Sequence, residues 1–246
     1  MDKIIKIEDR YLGDNHPAFV VAEIGLNHNG KLELAKKLVK AAKEAGADAV
    51  KFQKRDLKSL YKKDVYENPN SDSQSTSYLF DIFKKFELSK KEFVELKKYC
   101  EHLDITFFCT PFDIKSAEFL NGLDVPVYKI SSADLTNIPL IDFIISKKKP
   151  LILSTGMSQV PEIDFTYKFL KKKMADFSLM HCVSTYPTAF KDVNLKIIQF
   201  LKDRYRVPVG YSGHERGIII PLGAVALGAN IIEKHFKHPH NDKSAD

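Results

Sequence analysis

The strongest constraint in this chain is a repeated grammar. Eight short apolar runs recur along it, each passing into polar residues and most followed by a segment of helical periodicity. The pattern is plainest in VPVGYSGHERGIIIPLGAVALGANIIEKHF, residues 207–236. Residues 207–210 and 230–233 read as strands around a helical segment rich in Ala, Leu and Ile. In a parallel strand–helix–strand unit both strand ends point the same way. His214 and His235 then share one rim, where two converging imidazoles can hold a divalent metal.

The same reading extends back through the chain. Residues 4–10 alternate ahead of a Gly-Asp-Asn turn at 13–15, which suggests a small hairpin that closes the bottom of the main fold. FVVAEIG (19–25) is a buried parallel strand carrying one acid, Glu23. Residues 31–45 form an amphipathic helix with Leu34, Leu38, Ala41 and Ala45 on one stripe, stopped by Gly46. The next strand is 47–52. Residues 54–77 are long, polar and rich in Ser and Asn, the composition of a binding loop or lid. A helix resumes at 78–86, and Ser89 with Glu92 makes a capping box for a helix ending near His102. Further strands are expected at 104–109, 125–130, 150–153 and 176–181. Short helices are expected at 114–121, 140–146, after Pro161, and at 195–202.

Eight strands alternating with helices predict an α/β fold, a (β/α)8 TIM barrel over residues 19–246, preceded by an N-terminal β-hairpin extension over 1–18. A doubly wound open sheet is the rival, but no glycine fingerprint for a dinucleotide follows any strand. The chain stops soon after the eighth strand, so the barrel is read as truncated there, a piece of a longer polypeptide. The first residues, MDKIIKIEDRY, carry charges throughout and lack a signal peptide's apolar stretch. No apolar run approaches a membrane span. A cytoplasmic location and no membrane partner are expected. Three scattered cysteines, Cys100, Cys109 and Cys182, read as reduced and packed. The net charge of +6 comes from lysines mixed with acids, with no nucleic-acid motif among them, so no nucleic-acid partner is expected.

In such a barrel the chemistry sits at the C-terminal ends of the strands. That rim holds Glu23, Lys51, Gln53, Thr110, Lys129, Ser132, Asp134, Ser154, His181, Ser184, Tyr186, Ser212, His214, Glu233 and His235. Charges inside apolar strands are costly unless paired or used. Two such lysines call for anionic partners, and the nearby hydroxyls would complete a phosphate or carboxylate cradle. Residue chemistry alone thus points to a metal-dependent, anion-binding site for carbon–carbon bond chemistry. A Schiff-base keto-acid aldolase using Lys129 or Lys51 stays open, as does a noncatalytic sugar-phosphate binding protein. His181 reads equally as a packed core histidine, and His28 equally as a ligand group or an exposed one. His238 and His240 are expected to be exposed.

These same residues resemble the sialic acid synthase family. The matching pieces are Ala22-Glu-Ile-Gly-Leu-Asn-His-Asn-Gly30, Val50-Lys-Phe-Gln53, Thr110-Pro-Phe112, Tyr128-Lys-Ile130 with Ser132, Leu153-Ser-Thr-Gly-Met157, His181-Cys182 with Tyr186-Pro-Thr188, Gly210 with Ser212 and His214, and Glu233-Lys-His-Phe236. The resemblance implies condensation of phosphoenolpyruvate with an N-acylated amino sugar, N-acetylmannosamine or a diacetamido-hexose, giving a nine-carbon 2-keto sugar acid and phosphate. It implies Mn2+, or another divalent metal such as Mg2+, on His214 and His235. Catalytic roles would fall to Glu23, Asp134 and Lys129. Substrate contacts would fall to Lys51, Gln53, Thr110, Ser132, Ser154, Ser184, Tyr186 and Ser212. A homodimer completed by a C-terminal antifreeze-like domain, which this sequence lacks, is also implied. Ser184, Gly213, Asp134 and Lys54 stand where the family often has Asn, Asp, Glu and Thr. They mark either a different sugar or a weaker catalyst.

Overall fold

A computed structural model describes residues 3–68 and 77–237. Two antiparallel strands come first, β1 (Ile5–Ile7) and β2 (Arg10–Leu12). Eight parallel strands follow: β3 (Phe19–Gly25), β4 (Ala49–Lys54), β5 (Thr106–Pro111), β6 (Tyr128–Ile130), β7 (Leu151–Ser154), β8 (Phe177–Cys182), β9 (Val209–Gly213) and β10 (Ile231–His235). They close in sequence order, with β10 pairing β3 so that His235 lies opposite Glu23. The described helices are α1 (Leu32–Glu44), α2 (Leu57–Leu60), α3 (Lys63–Glu67), α4 (Ser77–Phe86), α5 (Lys90–His102), α6 (Ile114–Gly122), α7 (Ile138–Ile145), α8 (Val160–Lys172), α9 (Lys196–Tyr205) and α10 (Ile219–Ala226). The closed barrel is therefore the fold, and the open sheet is excluded.

Period-two alternation sorts each strand into an outer and an inner face. Outward residues such as Val50, Phe107 and Leu153 join the helices in the larger apolar cluster. Inward residues Val21, Ala49, Phe108, Val127, Ile152, Met180 and Ile231 form a second cluster with Ile5, Ile7 and Leu12 of the hairpin. The hairpin thus plugs the N-terminal end of the barrel, as expected. Its turn lies elsewhere than the sequence suggested. Ile7 pairs with Arg10, and Glu8 takes the left-handed conformation at φ 51°. Residues 13–15 instead link the hairpin to β3, where Asp14 accepts a bond from Asn230 at 3.2 Å and pairs with Lys202.

Local chemistry explains most element ends. Ser89 Oγ accepts from the Glu92 amide at 3.3 Å and the Glu92 carboxylate accepts from the Ser89 amide at 2.8 Å, the expected capping box. At the start of α8 the Gln159 amide donates to the Glu162 carboxylate at 2.7 Å, and Pro161 sits in the first turn. The buried face of α1 is Ala35, Leu38, Val39 and Ala42, rotated by about one position from the expected stripe. Several strands run further toward their C-terminal ends than their apolar residues do, because ladder bonds continue through the polar rim. The long polar segment contains α2 and α3, with Asp56 capping α2 through the Ser59 amide at 3.0 Å. Residues 69–76 of that segment lie outside the described residues, as do His238, His240 and the rest of the chain end.

Candidate active site

The C-terminal mouth of the barrel opens into a cavity of about 450 Å³. Glu23, Lys51, Gln53, Thr110, Lys129, Ser132, Ser154, Ser184, Tyr186, Ser212, His214 and His235 all line it, together with Glu233. They follow the apolar inner layer one alternation later, so Val21 is succeeded by Glu23, Ala49 by Lys51, Val127 by Lys129, Ile152 by Ser154 and Ile231 by Glu233.

Four buried ionic groups alternate in sign across the mouth. Lys51 Nζ lies 2.7 Å from Glu23 Oε2 and 3.7 Å from Glu233 Oε1, and donates to Thr110 Oγ1 at 3.0 Å. Lys129 Nζ lies 3.6 Å from Glu233 Oε1 and donates to Ser154 Oγ at 2.6 Å. Ser212 Oγ donates to Glu233 Oε1 at 3.1 Å, while Glu233 Oε2 makes no hydrogen bond. None of the four side chains is more than 7% exposed, so each depends on its neighbours for counter-charge. Burial alone would discharge Lys51, but the Glu23 and Glu233 carboxylates outweigh it and raise its pKa. Burial wins at Lys129, whose pKa falls because Glu233 is its main offset and the Lys51 charge opposes it. Burial also works against the Glu233 carboxylate, yet the two ammonium groups hold it well below the ordinary range.

Beside this row His214 and His235 lie with ring centroids 5.4 Å apart, and the Tyr186 ring stacks on His214 at 3.9 Å. His214 Nδ1 meets the Val183 carbonyl at 2.7 Å. A carbonyl only accepts, so Nδ1 carries the proton and Nε2 keeps its lone pair. Burial lowers the His214 pKa to about 4, and the nearby His235 adds to that. A neutral imidazole with Nε2 available fits a divalent metal, which the His214–His235 pair would hold. Among the described residues no third His, Cys, Asp or Glu joins them. The remaining positions would go to water or substrate oxygens, as in an open site.

A second chain of contacts leads to the lip. Gln53 Nε2 donates to Glu23 Oε1 at 3.0 Å, and Arg55 Nη2 donates to Gln53 Oε1 at 2.7 Å. The Arg55 guanidinium is sandwiched by Phe83 of α4 and Phe112, at 4.0 and 3.8 Å from the ring centroids. Arg55 lines the cavity and was not foreseen, although it continues the inward phase of Lys51 and Gln53. Lys54 takes the opposite phase. It is buried away from the cavity, paired with Glu87 and set over the Phe93 ring at 5.4 Å, so this departure from the family pattern does not line the mouth.

Asp134 is the other correction. It does not line the cavity. It ends a short 3-10 turn and accepts from Ser131 Oγ at 2.7 Å and Asn137 Nδ2 at 3.0 Å, a local cap before α7. Neighbouring Ser132 does face the site and accepts from the Gly156 amide at 3.1 Å. Gly156 is required there, since a Cβ would lie 2.7 Å from the Cys182 carbonyl oxygen. His181 is a packed histidine whose Nε2 meets the Val193 carbonyl at 2.5 Å. His28 is buried too, accepting from the Gly30 amide at 3.1 Å, and is neither exposed nor on the cavity wall. Cys109 is fully buried, and burial pushes its thiol pKa well up, which suits packing. The buried side chain of Glu215 fills the space beside Gly213 without lining the cavity.

Comparison with known proteins gives the family and the fold. Residues 38–246 match the model of the NeuB family. An uncharacterized protein of Methanocaldococcus jannaschii is 46% identical over 100% of this chain and 69% of its own length. The N,N'-diacetyllegionaminic acid synthase of Legionella pneumophila is 44% identical, over 91% of this chain and 65% of its own. The chain thus spans about two thirds of the length of these relatives. The crystal structure of N-acetylneuraminic acid synthetase from Leptospira borgpetersenii, in complex with citrate, superposes with a TM-score of 0.86 at 39% identity, covering 96% of this chain and 79% of that one. A closed barrel with this mouth, and relatives of this identity along nearly its whole length, make the chain a member of the NeuB family.

Proposed function

We propose that the chain is the catalytic barrel of a sugar-acid synthase that condenses phosphoenolpyruvate with an open-chain N-acylated amino sugar, N-acetylmannosamine or a diacetamido-hexose. The products are a nine-carbon 2-keto acid and inorganic phosphate. The observation that carries this reading is the row Glu23–Lys51–Glu233–Lys129 set against the His214–His235 pair. The ammonium groups of Lys51 and Lys129, with Thr110, Ser132, Ser154, Ser184 and Ser212, offer donors to the phosphate and carboxylate of phosphoenolpyruvate. Gln53, Arg55 and Tyr186 stand at the lip, where the sugar's hydroxyl and acylamino groups would lie. A divalent metal on His214 and His235, Mn2+ or Mg2+, would polarise the sugar aldehyde as a Lewis acid.

The methylene carbon of phosphoenolpyruvate attacks the aldehyde carbon, and positive charge develops at C2. The Glu23 carboxylate is placed to stabilise that charge. Water adds at C2, and the tetrahedral intermediate expels phosphate by C–O cleavage. With Asp134 held in its local turn, Glu23 is the remaining one of the two carboxylates expected to orient that water. A homodimer and a cytoplasmic setting belong to the same reading. Among the described residues no helix is long and apolar enough to cross a membrane.

Phosphate release by the purified chain with Mn2+, phosphoenolpyruvate and a panel of these sugars tests the proposal. Release that needs both substrates is the expected result; release without sugar contradicts it. Phosphoenolpyruvate binding with no turnover on any sugar would favour a noncatalytic binder. One observation favours the Schiff-base alternative, the lowered pKa of buried Lys129. Borohydride trapping of a pyruvate adduct on Lys129 would establish it, and no adduct is expected.

A further inference from the structure

Behind the imidazole pair lies a carboxylate with no part in the reaction just described. Glu215 follows His214 and its side chain is 0% exposed. Its Oε2 accepts from the Tyr211 hydroxyl at 2.6 Å. Its Oε1 pairs with Lys234 Nζ at 2.9 Å, and the same ammonium also donates to the Glu215 main-chain carbonyl. Lys234 precedes His235 and lies opposite Gly213 in the β9–β10 register. The contact therefore ties the residue after one imidazole to the residue before the other. Gly213 sits under the tie. A Cβ built on it would lie 2.5 Å from Glu215 Oε2, 2.8 Å from Oε1 and 2.6 Å from Tyr211 Cε1. These atoms are buried and held by partners, so they have little room to move aside. Positions 213 and 215 compete for a single volume, and Glu215 fills it.

We propose that Glu215, clamped by Lys234 over Gly213, is a positioning residue that sets the spacing of the His214–His235 pair. The proposal rests on the reading of that pair as metal ligands. His214 lies just past the end of β9, where the ladder to β10 stops at Gly213. Without the clamp the turn bearing His214 keeps its bonds to the Val183 carbonyl and the Thr188 amide but loses its tie to the strand that carries His235. Metal affinity is steep in displacements of a ligand, and loss of a supporting contact behind a ligand lowers it roughly 10–100-fold.

The test titrates Mn2+ by loss of the free-ion electron paramagnetic resonance signal, beside the melting midpoint of each variant in chelator. Glu215→Ala and Lys234→Met should each weaken Mn2+ binding about 10–100-fold per folded molecule. Gly213→Asp alone should weaken it similarly by forcing Glu215 out. Combined with Glu215→Ala, it should recover at least about tenfold, because one carboxylate again occupies the one slot. If Glu215→Ala does not fold, Glu215→Gln and Lys234→Met carry the comparison. Folded variants with unchanged Mn2+ affinity overturn the positioning role and reduce the clamp to a structural contact. Purely additive effects in the double variant overturn the shared slot. An unsubstituted chain that binds no Mn2+ overturns the metal reading itself, and the positioning role with it.

Discussion

Along β4 the inward residues are Ala49, Lys51 and Gln53; along β10 they are Ile231, Glu233 and His235. Each strand passes from an apolar floor to an ionic mouth in one alternation, roughly 7 Å along the barrel. The two layers share strands, phase and near-complete burial. They differ in what holds them. The floor is held by contact area, with Phe108, Met180 and the hairpin's Ile7 filling one volume. The mouth is held by mutual compensation, each carboxylate answering an ammonium group. A groove of about 590 Å³ outside the floor makes the contrast sharper. It too is lined by charges, but there Arg10 pairs with Asp48, Lys97 with Glu101 and Lys43 with Asp104 at the surface, where such pairs contribute little. Burial, and not the presence of charge, is what makes the mouth chemically potent.

The largest effect expected tests whether the mouth is dispensable for folding. On the proposed function, His214→Ala or His235→Ala should cut phosphate-releasing turnover by at least about a thousandfold, because the proposed Lewis acid loses a ligand, with the circular-dichroism melt little changed. A collapse of the melt would mean that the imidazoles belong to the core. Next, Lys51→Met should destabilise the chain by about 3–5 kcal/mol in urea, because it strands the buried Glu23 carboxylate and leaves Glu233 to Lys129 alone. A loss below about 1 kcal/mol would show that water already compensates the row. On the floor, Met180→Ala should cost about 2–5 kcal/mol and leave the KM for phosphoenolpyruvate unchanged. A raised KM would show that the layers are coupled.

Acidification gives a smaller effect. The folded pKa of His214 lies below its ordinary 6.5, at about 4. The unfolded chain therefore binds more protons, and this residue's contribution is full above pH 6.5 and lost as pH falls through about 4. It amounts to at most about 3 kcal/mol. Glu233, also lowered, adds a loss in the same direction below the ordinary carboxylate range. Urea midpoints in chelator across pH 7 to 4 should fall less steeply in His214→Gln; an identical slope would sink the assignment. The smallest change lies outside both layers. Ser89→Ala removes the cap of α5 and should cost about 1 kcal/mol without touching activity.

The barrel was legible because apolar runs and helical stripes recur with one period, and because Gly, Pro and capping residues punctuate them locally. Most of the mouth was legible for the same reason, since a lysine inside VKF or YKI has no bland place in a buried strand. What escaped was phase and partnership. After Phe52 no apolar residue marks which way a side chain faces, so Arg55 was overlooked. Arg55 also depends on Phe83 and Phe112, which are distant in sequence. Asp134 misled because a carboxylate beyond a strand end can serve a substrate or its own turn, and Ser131 and Asn137 decide between them. Gly213 looked like a loss because the side chain that fills its space comes from Glu215, two residues on.

The hairpin has a practical consequence for handling the protein. Because Ile5, Ile7 and Leu12 complete the inner layer, residues 5–12 act as a stopper for the barrel. A shortened chain begun at the first barrel strand would open the bottom of the tube to water and expose Phe108 and Ile152. A bulky tag fused close to Ile5 would work the same stopper loose. Fusion partners and surface tethers should therefore be carried on a spacer ahead of Lys3, so that the plug can seat before anything is hung from it.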